Sequence, residues 1–239
     1  MDTIQCLFIK MELKYKSWDD ITIAKYYELV EVSEESNSEG EDKNMEIIAC
    51  LCDLTPVDIA RLPFLEYQGM KNDLKFLGEF KFDTEKDPKS VKIGEKKYNV
   101  CRDFSKFTTA QYIDFQTLYA KNDLKQYYGL ILATFLLPTT VLFPEGYKEY
   151  NNGYDVVEEA KYIYNNLSIT TANQLMYHFF RRWRTLMVTT VRYLKLVTKW
   201  KLKDKKLSPI EREMWEKIQK ELSATDGSAV SMPFQILSD

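Results

Sequence analysis

The stretch from Thr171 to Lys203, TANQLMYHFFRRWRTLMVTTVRYLKLVTKWKLK, holds neither proline nor glycine. Ser168, Thr170 and Thr171 stand at its start, where a helix needs capping oxygens. An unbroken run of this length predicts one long helix, and the remaining elements must pack along it. At about 100° per residue, Arg181, Arg184, Arg192, Lys195, Lys199 and Lys203 share a sector of about 100°. Leu175, Phe179, Trp183, Leu186, Met187, Leu194 and Val197 cover much of the remainder. One edge is therefore cationic and the rest calls for burial.

A chain of 239 residues with 45% hydrophobic and 14% aromatic side chains can fill a sizeable core, as one domain or two closely packed lobes. Its eight glycines and seven prolines are too few for a sandwich or barrel of many short strands. The expected fold is mainly α with a minor β component: a helical bundle around the long helix, a β-hairpin at about 90–101 and an N-terminal strand over 3–15. The expected organisation is an N-terminal α+β lobe over 1–82, a hairpin and helical body over 83–222, and an extended tail over 223–239.

Along the chain, Ser17 or Asp19 is placed to cap a helix over ITIAKYYELVEV. SEESNSEGEDKN at 33–44 reads as an acidic loop. MEIIACLCDL reads as a short buried helix, and Thr55-Pro56 starts the next with threonine as cap and proline at its first position. Pro63 begins a further amphipathic stretch that should bury Phe64 and Leu65, so that 45–80 forms a helical hairpin. Val91 and Ile93 answer Tyr98 and Val100 across Gly94-Glu95-Lys96-Lys97, a hairpin signal. Asp103, Ser105, Thr108 and Thr109 each offer a cap for a helix that places Tyr112, Phe115, Leu118 and Tyr119 on one face. Asn122-Asp123 breaks that helix and caps LKQYYGLILATFLLP, an almost wholly apolar helix expected to be central and to end at Pro138. FPEGYKEYNNGY at 143–154 carries loop signals, and Asp155 caps VVEEAKYIYNNL. Ser208-Pro209-Ile210-Glu211 joins a capping box to a proline at the first helical position and opens an amphipathic helix.

Chemistry is harder to find. The chain has one histidine, His178, set between Tyr177 and Phe179 on an apolar helix, where a core residue is expected rather than a general base. Cys6, Cys50, Cys52 and Cys101 are scattered in apolar settings and read as free buried thiols, since a zinc site would lack partners. No nucleophile elbow, phosphate loop, dinucleotide fingerprint or zinc-protease motif occurs. Asp114, between Ile113 and Phe115, is expected on the polar face of its helix. No catalytic residue, metal or cofactor is expected, and no apolar run approaches the ~20 residues of a membrane span. A soluble, intracellular protein is the expectation.

Charge is distributed unevenly. Glu28–Glu46 carries eight acidic residues against Lys43, and Arg181–Lys206 carries ten basic residues against Asp204. The candidate contacts are the six basic residues of the long helix, for phosphate or an acidic partner, and Glu34, Glu35, Glu39, Glu41 and Asp42 in the acidic loop. Phe234, Ile236 and Leu237 in the tail are unusually apolar for a chain end and are candidates for docking.

IGEKKYNVCRDFSKFTTAQYIDFQTLYA at 93–120, LILATFLLP at 130–138 and FFRRWRTLMVTTVRYLKL at 179–196 together resemble uncharacterised virion-morphogenesis proteins of tailed bacteriophages and prophages of gut Bacteroidetes, including the crAss-like group. The resemblance covers the last two thirds of the chain, and the acidic loop lacks a counterpart in it. It implies a non-enzymatic head or tail assembly protein, made in the host cytoplasm and carried in the virion near the connector or tail. Its partners would then be other phage structural proteins or further copies in a ring, the acidic loop of one meeting the basic helix of the next. Two alternatives are a tail-assembly chaperone that stays out of the particle and a nucleic-acid-binding regulator using the basic helix, with non-specific DNA contact.

Overall fold

The computed structural model describes residues 13–35, 38–78, 80–121, 123–139, 155–203 and 207–224. It is mainly helical with one small antiparallel sheet, as expected from the sequence. Two compact units emerge. The first takes in the described residues of Met1–Cys101 and Lys106–Leu175, the second those of Arg102–Ser105 and Met176–Asp239.

In the first unit, α1 (Ile23–Glu35) begins at Thr22, whose Oγ1 accepts from the Lys25 amide at 3.3 Å. The cap is therefore neither Ser17 nor Asp19. Asp20 accepts from the amides of Lys16 and Ser17 and makes a tight turn there, while Asp19 accepts from the Thr170 hydroxyl. The backbone bonds Ile23 N to Leu167 O and Ile169 N to Ile21 O then tie the start of α1 to the segment that opens the long helix. Residues 3–12 of the expected N-terminal strand lie outside the described residues, and residues 13–15 are not strand.

The expected acidic loop is mostly helix. Glu34 and Glu35 close α1, and α2 (Glu41–Cys52) starts early because Glu41 and Asp42 sit in its first turn, where negative charge is favourable. Asp53, left-handed at φ 56°, ends α2, and the Thr55–Asp58 capping box opens the short α3 (Pro56–Ala60). In α4 (Phe64–Asp73), Phe64 and Leu65 are exposed, contrary to expectation, and Met70 is the buried residue.

The hairpin forms from β1 (Ser90–Ile93) and β2 (Lys96–Val100), with Val91 opposite Tyr98. Its turn is Gly94-Glu95 alone. Gly94 has φ 55°, and any Cβ there would collide with the Tyr162 hydroxyl, so glycine is required twice over. α5 (Thr109–Ala120) carries the Thr108–Gln111 capping box and buries Phe115 and Gln111, while Tyr112 is exposed. α6 (Leu124–Phe135), capped by Asp123, is central as expected: Tyr128, Ile131, Leu132, Ala133 and Phe135 are all buried.

That helix stops three residues before Pro138. The residue preceding a proline is pushed out of the helical region, so Leu136–Pro138 extends instead and pairs with β2 as β3. The bonds Cys101 N to Phe135 O and Thr139 N to Lys97 O, both 2.8 Å, bracket this pairing. The sheet order is β1-β2-β3, and α7 (Val156–Asn166) supports the hairpin: Glu159 accepts from the Tyr98 hydroxyl and pairs with Lys96 at 2.8 Å. The expected loop at 143–154 lies outside the described residues.

The long helix α8 runs from Ile169 to Lys201, two residues earlier at each end than expected, with Ser168 at its start. The second unit holds its part from Met176 onward, where Phe179, Phe180 and Trp183 are buried and Phe104 packs on Phe179 and Trp183. α9 (Pro209–Ala224) opens on the Ser208–Glu211 capping box.

Candidate functional site

Several places could carry chemistry or contacts. Lys25 is nearly buried and bonds Asp53 at 2.6 Å, Glu28, and the Cys50 carbonyl at 3.2 Å. Burial pulls its pKa down, but hydrogen bonds to Asp53 and Glu28 outweigh it and leave the ammonium strengthened. The hydrogen bond from Lys25, joined by one from Lys14, holds Asp53 below the usual carboxylate range. This network pins α1 to the left-handed end of α2, leaving no group poised to exchange a proton.

The thiols at Cys50 and Cys52 are free and half-buried, and burial pushes both up, away from the reactive thiolate. Cys101 is buried, as expected, and Cys6 lies outside the described residues. His178 is 6% exposed and Tyr177 meets its ring edge-on at 5.3 Å. Its Nε2 lacks a hydrogen-bond partner among the described residues. Asp114 is exposed, as expected. Among the described residues no group of three or more His, Cys, Asp or Glu is placed to hold a metal ion.

A groove of about 520 Å³ lies between α6 and α7, lined by residues including Gly129, Leu130, Val157 and Tyr164. Two of the polar groups that line it are already engaged. Lys125 pairs with Glu31, and Asp123 accepts from the Gln126 amide at 3.1 Å.

The acidic candidates do not act together. Glu41 is bound by Lys71 and by the Tyr67 hydroxyl, in that order of influence, which holds its carboxyl low. Glu34, Glu39 and Asp42 are exposed, Glu34 on α1, Asp42 on α2 and Glu39 between the two helices. Phe234, Ile236 and Leu237 lie outside the described residues.

The basic candidates form a better-defined surface. Arg181, Arg184, Arg192, Lys199 and Lys203 are exposed and form no ion pair with a described carboxylate. Lys195 is half-buried and engaged, and Lys203 falls just past the last residue of α8. The 33 residues of α8 include no Asp or Glu. Cations therefore meet no internal counter-charge along the helix.

Sequence reasoning missed what borders them. Leu186 and Leu194, expected in the core, are 38% and 39% exposed, and Tyr193, Leu196 and Trp200 are 64%, 67% and 71% exposed. Leu186, Thr189, Tyr193, Leu196 and Trp200 alternate steps of three and four residues, the spacing of a coiled-coil seam. Measured from Leu186 at about 100° per residue, Tyr193, Trp200 and Leu196 fall within about 80° on one side. Arg181, Arg192 and Lys199 follow at about 120–140° on that same side. Thr198, about 120° round the other way, is buried at 1% exposure. The arrangement is an apolar seam with a cationic border, on a helix that beyond Trp183 buries Thr198 alone among its described residues. In α9, Ile210 and Met214 are also exposed, at 80% and 50%.

Among the described residues no helix is long and apolar enough to cross a membrane. No family model, curated protein or solved structure matches the chain.

Proposed function

We propose that this chain is a non-enzymatic assembly protein that works by holding other proteins through the C-terminal half of α8 and through α9. The observation that carries the reading is the row of large exposed apolar side chains on α8 beside Arg192 and Lys199, which form no ion pair with a described carboxylate. Soluble proteins seldom leave such a patch uncovered unless something docks on it. The particle in which the chain works is proposed from the resemblance of 93–196 to phage virion-morphogenesis proteins: a component of the head–tail connector or tail, or a chaperone that delivers such components.

A second reading, binding of a nucleic-acid backbone by Arg181, Arg184, Arg192, Lys199 and Lys203, is favoured by their exposure and freedom from carboxylates. Phosphates would satisfy these cations but would leave Tyr193, Leu196 and Trp200 in water, whereas a protein surface covers both.

Light scattering of the purified chain at low and high salt tests the first reading. A mass several times 28.2 kDa, or a defined complex with one component of the purified particle, is the expected result. A chain that is monomeric at both salts, absent from particles and bound to no particle protein would overturn it.

A further inference from the structure

We infer that the open face of α8 is one half of a heterotypic coiled coil, and that its partner is an amphipathic helix with acidic flanks on another polypeptide. This rests on the proposed role in protein assembly and names the chemistry of what is held. The seam runs from Leu186 to Trp200, about two heptads or about 21 Å of helix. With Leu186, Tyr193 and Trp200 at the first position of the heptad and Thr189 and Leu196 at the fourth, Arg192 and Lys199 take the flanking position just before the seam. That position makes the interhelical ion pairs that select a partner. Thr190 and Val197 hold the flank on the other side and carry no charge.

Charge opposes a second copy of α8 as the occupant. In an antiparallel pair Arg192 and Lys199 would face their own equivalents. In a parallel pair Arg192 would face Val197, which offers no carboxylate, and Lys199 would face position 204, past the last residue of α8, so at most one of the two cations could meet an acidic residue.

Other described helices of the chain do not fit either. Ile210 and Met214 of α9 are exposed, but Lys217 and Glu221 take the next two positions of that repeat. Phe64 with Leu65 on α4, and Tyr112 with Ile113 on α5, are adjacent pairs and not seams. The complement is a foreign helix with leucine-like residues at seam positions and Glu or Asp beside them.

The test uses the full chain and a labelled synthetic peptide of about four heptads, with Leu at both seam positions and Glu at both flanks. Mutual repulsion of its glutamates keeps that peptide from pairing with itself at neutral pH. A second peptide carries Lys at the flanks. Fluorescence anisotropy should show the chain binding the Glu peptide and rejecting the Lys peptide. R192E with K199E should reverse that preference, which a loss of folding could not do. L196E with W200E should weaken binding at least about 30-fold with an unchanged far-ultraviolet spectrum.

Equal affinity for both peptides, no affinity for the Glu peptide, or binding indifferent to L196E with W200E would overturn the inference. So would binding of a DNA duplex that R192E with K199E abolishes and L196E with W200E leaves intact. Light scattering on the same samples separates the two levels of argument: multimers or particle complexes without Glu-peptide binding refute the acidic helix and leave the assembly role standing.

Discussion

Gly129 and Gly69 both lie inside helices, yet alanine should stabilise the protein at Gly69 alone. Alanine in a helix interior is intrinsically better than glycine by about 0.8–1 kcal/mol. At Gly69 on α4, a Cβ meets nothing within 4 Å, so Gly69→Ala should realise the full gain. At Gly129 on α6, a Cβ would stand 2.7 Å from the Ala160 carbonyl oxygen and 3.3 Å from the Tyr164 Cβ. The obstacle is the backbone of α7, which cannot rotate away as a side-chain end could. Forcing an extra methyl into such a contact costs about 1–3 kcal/mol. Gly129→Ala should therefore range from neutral to about 2 kcal/mol destabilising once the helix gain is subtracted. Because the intrinsic term is common to both variants, the gap between them measures the steric cost alone. Urea denaturation followed by circular dichroism at 222 nm reads it. A gap below about 0.5 kcal/mol would mean that α6 and α7 do not approach at Gly129 as described.

Gln111 is buried, accepts from the Thr108 amide and donates to the Thr134 carbonyl, both at 2.9 Å, so Gln111→Leu orphans two backbone groups. It should cost about 2 kcal/mol in the same denaturation assay. Asp53 has a folded pKa below its unfolded value near ~3.9, so its contribution is complete above that pH and is lost as pH falls through the folded value. Asp53→Asn tolerates the left-handed φ and should flatten the acid limb of stability below about pH 4 without changing its slope near neutrality. Ser208→Ala removes the hydroxyl that accepts from the Glu211 amide and should lower the stability of α9 by about 1 kcal/mol, read as lost helicity.

Much of this fold was legible wherever one residue determines one local geometry. Thr55, Asp155 and Ser208 were read as helix caps, and Thr108 and Asp123 were among the candidates read for theirs; each accepts from an amide in the first turn of its helix. The hairpin was legible for the same reason, because Gly94 answers a backbone demand that lies beside it in the chain. Long-range pairing was not. β3 is three residues at the end of an apolar run, and its partner strand starts some forty positions upstream, with nothing in the run to announce a sheet. Only the proline, read as the end of a helix when it was the end of a strand, carried the signal. Phe64 and Leu65 failed differently: their spacing suited a buried face, but nothing covers them.

The surface on α8 shows the same division within one helix. Its six cations were found because charge needs no neighbour to be recognised, and their sector follows from helix geometry alone. The seam beside them was read as core, since an apolar residue facing a partner in another polypeptide looks identical, in sequence, to one facing the inside of its own fold. What separates the two is burial on the opposite face. Thr198 is covered while Tyr193, Leu196 and Trp200 are not, so the helix turns its polar threonine inward and its tryptophan out. A helix that merely completed a core would turn the other way. The repeat of three and four residues then has a physical meaning it lacked in the bare sequence: it is the spacing that would keep side chains aligned along a second helix, the one inferred above, which none of the described helices of the chain supplies.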